Sequence, residues 1–349
     1  KDFFIDRNNL FPSGVLSQTI QNKFKSLLTN IRVKCSTVKL AKSKFKLDVF
    51  VILVLFEQRL DAFKRVLTSI FIIVSRVSLK PFLATTYMHG FLNLGNTCYF
   101  NSALQCLFHA IPITEHIYKT SYSGECEFTK LYKNLLQQYF NTQESGCFNL
   151  APLLKEFRKA FPRFAEHEPH DTQDALFCII DILERSFPEI KKLIYGEKRQ
   201  ITISPVGKNT ADIPFSIQTL NINKQKCKVS ELLTESMKWH TLTDYVDDEG
   251  NKHNVTTTRT LFKSFPPVMF ISFDKKSNII LEHEITFDDK LIYDLQSYAI
   301  HKGAQYGGHY TSAAKFQNVW VAHDDENLYR TEPREVDGYY LLTYILRNP

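Results

Sequence analysis

The hydrophobic periodicity of this chain changes partway along, and the change limits the folds it can adopt. Residues 98–111 and 170–185 space apolar side chains three and four positions apart, which is typical of amphipathic helices. From residue 200 onward the chain instead contains short β-rich segments separated by polar turns, among them "RQITIS", "VMFISF", "HYTSAAKF" and "YYLLTYIL". Helices followed by strands predict an α+β domain, in which a helical half faces an antiparallel half across a cleft.

The N-terminal quarter differs from the remainder in charge. Residues 1–88 hold 15 Lys and Arg against 5 Asp and Glu, a net charge of +10, while the other residues sum to −4. Segments such as "SQTIQNKFKSLL" predict helices here, and the Pro and Gly of "LKPFLATTYMHG", residues 79–90, mark a boundary. We expect a basic helical extension whose lysines either face solvent or meet an acidic partner or anionic surface, with no obligate nucleic acid.

Composition excludes several classes of protein. The longest apolar runs, "VFVILVLF" and "SIFIIV", fall far short of the roughly 20 residues of a membrane span, so no transmembrane helix is expected. The first 30 residues lack the apolar block of a secretory signal. Seven scattered cysteines do not form a disulfide scaffold, which favours a reducing compartment: cytoplasm or nucleus, or the host cytosol for a viral protein. Because the first residue is Lys1, we expect a fragment or a processed product.

A cysteine stands at the start of the first of these predicted helices. In "GFLNLGNTCYFNSALQCL", residues 90–107, Cys98 follows a Gly-Asn-Thr turn and precedes the apolar repeat. A helix that begins at Cys98 places the thiol at the positive end of the helix dipole, where the thiolate is favoured. Cys106, within the same helix, is interpreted as a small core residue. On its own, Cys98 fits either a structural or a catalytic role.

A base and an acceptor for that base follow in the C-terminal third. In "YGGHYTSAAK", residues 306–315, His309 comes after a Gly-Gly turn and before a β-rich run. "VWVAHDDENL", residues 319–328, is predicted to form the adjacent strand, and a hairpin would bring its two aspartates back beside His309. The order Cys, His, Asp is similar to the arrangement in papain-like cysteine proteases.

Two of these motifs resemble those of the ubiquitin-specific proteases. The segment around Cys98 is similar to the cysteine box of that family, written Gly-Leu-x-Asn-x-Gly-Asn-Thr-Cys-Tyr-Met-Asn-Ser, with Phe91 and Phe100 as the clear departures. Residues 293–315 resemble the histidine box, and Trp320 precedes the acceptor aspartate as the family's Trp does.

A third segment resembles a helix of the same family. "PHDTQDALFCIIDILE", residues 169–184, is similar in length and phase to Gln-Gln-Asp-Ala-x-Glu-Phe-Leu-x-x-Leu-Leu-Asp. Here Pro169 and His170 replace the glutamines, and Asp174 replaces the glutamate. Three motifs in the family's order make an accidental match improbable.

The resemblance implies a role for each matching residue of the site. Cys98 would be the nucleophile, His309 the general base and Asp324 the acceptor that holds the imidazole. Asp325 would be an auxiliary acceptor if Asp324 faces away. Asn93 matches the side-chain amide that stabilises the tetrahedral oxyanion, a donor that the chemistry requires. Its alternative role is to cap a turn.

The resemblance also implies substrate-binding residues. Asp171 and Asp174 match positions that hold the substrate's tail, and two carboxylates suit the arginines of ubiquitin's Leu-Arg-Leu-Arg-Gly-Gly end. The alternative is that both aspartates belong to an ordinary helix N-terminus. Gly307 and Gly308 lie on a loop that moves over the tail in the family, and Tyr310 follows beside them. A narrow channel would select the Gly-Gly end.

The resemblance covers residues 89–349 and implies a papain-like α+β fold. The implied fold consists of a helical thumb of about 89–195, fingers of about 196–262 and an antiparallel β palm of about 263–349. Family fingers commonly carry two Cys-x-x-Cys pairs, but this region has Cys227 alone. We therefore expect reduced fingers without zinc, no metal site and no cofactor.

The function implied by the resemblance is that of a thiol-dependent deubiquitinase. It would hydrolyse the peptide or isopeptide bond after the C-terminal Gly-Gly of ubiquitin, with ubiquitin or ubiquitinated proteins as partners. Two alternatives stay open. One is a ubiquitin-binding module with impaired catalysis, and the other is a papain-like protease that acts on a ubiquitin-like modifier or a polyprotein.

Overall fold

A computed structural model provides the structure of this protein. It describes residues 88–347 except 166–167, 223–225, 248, 254, 288–289, 304–306, 317 and 334–336. The predicted basic extension, residues 1–88, lies outside the described residues apart from Met88. Within the described part of the chain, no helix is both long and apolar enough to span a membrane.

Helices dominate the first half of the described region. Their bounds are α1 Cys98–Phe108, α2 Ile111–Lys119, α3 Glu127–Asn141, α4 Ala151–Ala160, α5 Thr172–Ser186, α6 Lys191–Ile194 and, later in the chain, α7 Val229–Ser236. The helix predicted over 170–185 is confirmed as α5, and the one predicted over 98–111 is confirmed as α1, which ends at Phe108 because a break separates it from α2. Every residue of α1 is buried, because the helix is apolar on nearly all faces and lies against both α5 and the main sheet.

Strands form most of the remainder. Their bounds are β1 His89–Phe91, β2 Gly146–Phe148, β3 Gly196–Ser204, β4 Gly207–Phe215, β5 Ile217–Leu220, β6 Cys227–Lys228, β7 His240–Leu242, β8 Tyr245–Val246, β9 Lys252–His253, β10 Thr256–Ser264, β11 Val268–Ile280, β12 Glu284–Phe287, β13 Leu291–Lys302, β14 His309–Phe316, β15 Val319–Asp324, β16 Asn327–Thr331 and β17 Asp337–Leu346. The predicted strands "HYTSAAKF" and "VWVAHD" coincide with β14 and β15.

The strands pair into two larger sheets. Among the described residues, the main sheet follows the order β16-β15-β14-β13-β17-β11-β5, with β12 beside β13 and β6 beside β11. A second sheet, in the order β4-β3-β10-β7, occupies the region interpreted as fingers. Neighbouring strands are antiparallel in both, except that β5 and β6 lie parallel to β11. The predicted α+β class is confirmed, and the antiparallel half contains this parallel edge.

The main sheet is apolar on both faces and divides the hydrophobic core. Along β11, Val268 and Phe270 pack against the helices, whereas Met269, Ile271 and Phe273 pack on the opposite face with α7. This alternation is the two-residue period of a strand. The helical layer therefore lies on one face of the sheet, and α1 lies between that layer and the sheet.

Two histidines are buried where α1 meets β15. His109 follows the last residue of α1, His323 lies in β15, and their ring centroids are 5.5 Å apart. The Nδ1 atom of His109 is 2.8 Å from the carbonyl oxygen of Gln105, whereas neither ring nitrogen of His323 has a hydrogen-bond partner. Burial lowers the pKa of His109 to about 4 and lowers that of His323 well below its usual value. Both rings are therefore neutral in the folded protein at neutral pH.

This pair predicts a loss of stability in mild acid. An unfolded histidine titrates near 6.5, so below that pH the unfolded chain binds more protons than the folded one. For His109 the contribution to stability is complete above pH 6.5 and is lost as the pH falls to about 4, and the lowered pKa of His323 acts in the same direction. Each histidine should lower the free energy of unfolding by about 1.4 kcal/mol per pH unit in this range.

Urea unfolding between pH 7.5 and 4.5 measures the effect. The matched variant is His109→Asn combined with His323→Phe, whose stability should depend less steeply on pH than that of the parent. Equal slopes for parent and variant would show that the two imidazoles do not carry the acid sensitivity.

Candidate functional site

Cys98 is the first residue of α1, as the sequence predicts. The preceding loop turns through Gly95 and Asn96, whose φ angles of +90° and +52° lie in the left-handed region that Gly and Asn tolerate best. Thr97 then precedes the helix, and its Oγ1 accepts a hydrogen bond from the backbone N–H of Leu94 at 2.9 Å. The loop therefore fixes the direction in which α1 begins.

The charge state of the thiol differs from the sequence expectation. The helix N-terminus favours a thiolate, but Cys98 is only 7% exposed, and burial raises the pKa of its thiol. A hydrogen bond with the backbone of Tyr310 opposes this rise in pKa, whereas the carboxylate of Asp325 adds to it. Burial of the sulfur therefore favours the protonated thiol. Nucleophilic attack then needs a base.

His309 and Asp324 form a hydrogen-bonded pair. The Nε2 atom of His309 lies 2.6 Å from Oδ1 of Asp324, and their side chains are 43% and 38% exposed. β14 begins at His309 and β15 ends at Asp324, and the antiparallel pairing of Ser312 with His323 brings these two ends together. Because Nε2 contacts the carboxylate, Nδ1 is the nitrogen that can accept a proton. The backbone hydrogen bond of Tyr310 to the Cys98 thiol places the nucleophile beside the residue that follows this histidine.

The side chain of Asp325 contacts two asparagines and not His309. Its carboxylate is buried and accepts hydrogen bonds from Nδ2 of Asn93 at 2.7 Å and Nδ2 of Asn101 at 2.8 Å. Its backbone has φ +53° at the turn between β15 and β16. Asp324, rather than Asp325, contacts the imidazole of His309. The stand-in role considered for Asp325 is therefore not required by this geometry.

The side chain of Asn93 is held at both ends. Its Oδ1 atom accepts from the backbone N–H groups of Gly95 at 3.0 Å and Thr97 at 3.3 Å, which is the turn-capping geometry considered from the sequence. Its Nδ2 atom donates one hydrogen to Asp325. An amide nitrogen carries two hydrogens, so the second is available for an oxyanion. The capping role and the predicted oxyanion role are thus compatible.

Asp171 and Asp174 occupy different environments. Asp171 caps α5, because its Oδ1 accepts from the backbone N–H of Gln173 at 2.7 Å and of Asp174 at 3.2 Å. Its Oδ2 accepts from the hydroxyl of Tyr340 in β17. Asp174 is 55% exposed and lies 4.0 Å from a guanidinium nitrogen of Arg163. The capping alternative is present for Asp171, and tail binding by either residue stays a prediction.

Tyr340 is a residue of this region that the sequence reasoning missed. Its hydroxyl joins β17 to the N-terminus of α5, and its ring centroid is 5.8 Å from that of Tyr310. Burial raises its pKa, so the phenol stays protonated and donates to Asp171. A Tyr-Tyr pair in a β-rich segment carries no signal that distinguishes this contact from ordinary packing.

The two predicted loop glycines differ in the space around them. A Cβ atom added to Gly308 would lie 2.1 Å from Nε2 of His301 and 2.7 Å from the carbonyl oxygen of Lys302. A Cβ atom added to Gly307 would meet nothing within 4 Å. Close packing against β13 therefore requires glycine immediately before His309, whereas position 307 is open.

Among the described residues of the region interpreted as fingers, no group of potential zinc ligands is brought together. Cys227 is buried in β6, His240 is exposed on β7, and Nε2 of His253 lies 2.8 Å from Oδ2 of Asp247. Among the described residues, one group of three potential metal ligands occurs, formed by His309, Asp324 and Asp325. It belongs to the site described above. The absence of zinc stays a prediction.

The chain is similar to known proteins of one family. A family model described as "Ubiquitin carboxyl-terminal hydrolase" matches residues 89–344. Ubiquitin carboxyl-terminal hydrolase 4 of Mus musculus is 30% identical over 128 residues, which cover 33% of this chain and 13% of that protein. Ubiquitin carboxyl-terminal hydrolase 9 of Arabidopsis thaliana is 32% identical over 127 residues, which cover 33% of this chain and 14% of that protein. The matched region is thus a small part of these curated relatives.

Solved structures share the fold over a longer stretch. A chain of the SAGA DUB module Ubp8/Sgf11/Sus1/Sgf73 bound to monoubiquitin superposes with a TM-score of 0.64 at 20% identity, covering 74% of this chain and 69% of that one. The same module bound to ubiquitin aldehyde gives 0.61 at 21% identity. The similarity confirms the predicted fold class.

The contrast between the two loop glycines can be tested directly. Gly308→Ala should lower the free energy of unfolding by roughly 1–3 kcal/mol, since its Cβ overlaps an imidazole and a backbone carbonyl. Gly307→Ala is the matched control and should change stability by less than about 0.5 kcal/mol. Urea unfolding of both variants measures the difference. Equal effects of the two substitutions would contradict the packing described for Gly308.

Proposed function

We propose, from the premise that this chain belongs to the ubiquitin carboxyl-terminal hydrolase family, that it is a thiol-dependent deubiquitinase. It hydrolyses the peptide or isopeptide bond after the C-terminal Gly-Gly of ubiquitin. The observation that carries the proposal is the position of Cys98, at the start of a buried helix and against the backbone of Tyr310, next to the His309–Asp324 pair. A thiol, a base and an acceptor are the groups that such a reaction needs.

The reaction begins with transfer of a proton. His309 accepts the Cys98 proton on its free nitrogen, and the carboxylate of Asp324 stabilises the imidazolium that results. The thiolate attacks the carbonyl carbon of the last glycine, and the oxygen of that carbonyl becomes the oxyanion. The second N–H of Asn93 donates to it.

Two steps complete the turnover. The tetrahedral intermediate collapses, the carbon–nitrogen bond breaks, and the imidazolium gives its proton to the leaving lysine amine or peptide nitrogen. Water, deprotonated by His309, then attacks the thioester carbon. The carbon–sulfur bond breaks, the modifier leaves with a free carboxylate, and Cys98 regains its proton.

The environment of Asp171 favours a second candidate substrate. Both of its oxygens already accept hydrogen bonds from within the protein, from the start of α5 and from Tyr340. A carboxylate engaged in this way has less capacity for an arginine of the substrate tail. This supports a papain-like protease whose substrate is a ubiquitin-like modifier, or another precursor, with a different tail.

We also propose a reducing compartment, the cytoplasm or the nucleus, as the place of action. The six cysteines of the described region form no disulfide, and Cys98 among them is the proposed nucleophile. A thiol enzyme in such a compartment keeps its nucleophile reduced.

Covalent labelling tests the proposed function. A ubiquitin probe with an electrophile at its C-terminus should label the parent protein once, and Cys98→Ala should abolish the labelling. Cys106→Ser is the control, because burial raises the pKa of Cys106 to about 12 and the hydroxyls of Ser297 and Thr343 can accept the new hydroxyl as a partner. Labelling that persists without Cys98, measured by intact mass, would refute the assignment of the nucleophile.

Recognition of the tail can be tested by thermodynamic coupling. The experiment uses two ubiquitin amides, one with the wild-type tail and one with its arginines changed to alanine. Hydrolysis of each is measured with the parent, Asp171→Asn and Asp174→Asn. If a carboxylate binds an arginine, each aspartate variant should lose about 10-fold to 150-fold in kcat/KM on the wild-type tail and much less on the altered tail. Asn at position 171 keeps a capping oxygen, so the helix survives.

The same hydrolysis measurements also test the alternative, in which the two aspartates only cap the helix. If the altered tails weaken hydrolysis by one common factor in all three proteins, these aspartates do not bind the arginines. Asp171 would then serve only as the cap of α5.

A further inference from the structure

The buried carboxylate of Asp325 links two asparagine side chains that flank the nucleophile. Its Oδ2 accepts from Asn93 in the loop before Cys98, and its Oδ1 accepts from Asn101 one turn along α1. Asp325 is 8% exposed and Asn101 is 3% exposed. Two hydrogen bonds of 2.7 and 2.8 Å to one carboxylate are charge-assisted and therefore stronger than those between neutral groups.

The orientation of Asn101 is unambiguous. Its Nδ2 atom faces three oxygens, namely Oδ1 of Asp325 and the backbone carbonyls of Phe91 and Leu92, each carbonyl at 3.3 Å. A flipped amide would direct its own oxygen at these three acceptors, which is repulsive. The Oδ1 atom of Asn101 is buried without a hydrogen-bond partner. The amide nitrogen of Asn101 is therefore fully used as a donor, while the Oδ1 atom of the same side chain is left without a hydrogen bond.

We propose that Asn101 is a positioning residue that, through the carboxylate of Asp325, aims the side-chain amide of Asn93 at the oxyanion. The inference rests on the proposed function, because it concerns the transition state of that reaction. It assigns Asn101 to the support of the oxyanion donor rather than to proton transfer.

The backbone around the carboxylate supports this assignment. The carbonyl oxygen of Asp325 accepts from the N–H of Phe91 at 3.0 Å, which ties the β15–β16 turn to the strand that leads into the nucleophile loop. A Cβ atom on Gly90 would lie 2.6 Å from the same oxygen, so the two segments are in direct contact. The carboxylate is thus held by its own backbone and by Asn101, and Asn93 is its second ligand.

The linkage also sets the oxyanion donor relative to the nucleophile. Asn101 and Cys98 lie on the same rigid helix, so the chain of contacts from Asn101 through Asp325 to Asn93 begins and ends beside the thiol. Oxyanion donors contribute to rate when they are fixed before charge develops, and a displacement of about 1 Å can cost on the order of 10²-fold. Without Asn101, the carboxylate would lose one of its two amide donors, and Asn93 would lose a fixed acceptor.

A competing role for Asp325 is direct electrostatic action on His309, since the two groups interact through space. That role would stabilise the imidazolium and would not involve Asn93. The two roles differ in whether the effect of Asn101 disappears when Asn93 is absent.

A double-mutant cycle separates them. The proteins are the parent, Asn101→Ala, Asn93→Ala and the double variant, with kcat and KM measured on a ubiquitin C-terminal amide. We expect Asn101→Ala to lower kcat by on the order of 10²-fold with KM within about 3-fold, and to have no further effect in the Asn93→Ala background. Additive losses would overturn the proposal.

Alkylation of Cys98 by iodoacetamide provides a readout without an oxyanion. Its rate should stay within about 2-fold of the parent in Asn101→Ala, because thiolate formation does not depend on the Asn93 amide. A parallel fall in alkylation would place Asn101 in proton transfer or in the fold and would refute the positioning role. Gln105→Ala is the matched control, since Gln105 is a buried amide on α1 that donates to the carbonyl of His89 at 2.9 Å. It should lower stability and leave kcat unchanged.

A measurement that needs no turnover separates failure of the inference from failure of the proposed function. In protein labelled with ¹⁵N-asparagine, the one side-chain amide proton of Asn93 that donates to Asp325 should exchange at least 10-fold faster in Asn101→Ala than in the parent. Unchanged exchange would overturn the inference even if hydrolysis is observed. Absence of hydrolysis in the parent would instead refute the proposed function. If Asn101→Ala does not fold, Asn101→Ser replaces it in each measurement, because the shorter side chain also removes the amide donor to Asp325.

Discussion

The complete burial of α1 is the constraint on which the rest of the site depends. All of its residues are buried, so the helix can lie only between two layers, with α5 on one side and β14 on the other. Polar contacts fix it in both directions: Thr172 Oγ1 donates to the carbonyl of Tyr99 at 3.2 Å, and Ser297 Oγ donates to that of Cys106 at 3.4 Å. Because Cys98 begins this helix, the thiol is positioned by the core rather than by a surface loop.

The register of one hairpin provides the second half of the site. β14 and β15 pair so that Ser312 faces His323, and this pairing places His309 at one end and Asp324 at the corresponding end. A slip of one residue would turn Asp324 to the opposite face of the sheet. The same register buries His323 against His109. The position of the acid–base pair is therefore linked to packing on the other side of the strand.

Features set by local sequence could be predicted, and features set by long-range pairing could not. The start of α1 at Cys98, the α5 helix and the bounds of β14 and β15 follow from periodicity and turn residues. The contact of Asn101 with Asp325 joins residues 224 positions apart, and no local pattern encodes it. The raised pKa of Cys98 was missed for a related reason, since the helix dipole is visible in the sequence and the depth of burial is not.

The thiol and its base differ in solvation, and this difference bears on when the reaction can start. Cys98 is 7% exposed, whereas the side chains of His309 and Asp324 are 43% and 38% exposed. Moving the proton from sulfur to imidazole creates opposite charges, one in the core and one in partial contact with water, where its attraction to the carboxylate is screened. In the proposed reaction, a tail that lies over His309 excludes this water and strengthens both interactions of the imidazolium. A Cβ atom on Gly308 would overlap the imidazole of His301 and the carbonyl oxygen of Lys302, so glycine at this position lets the backbone immediately before His309 pack directly against β13.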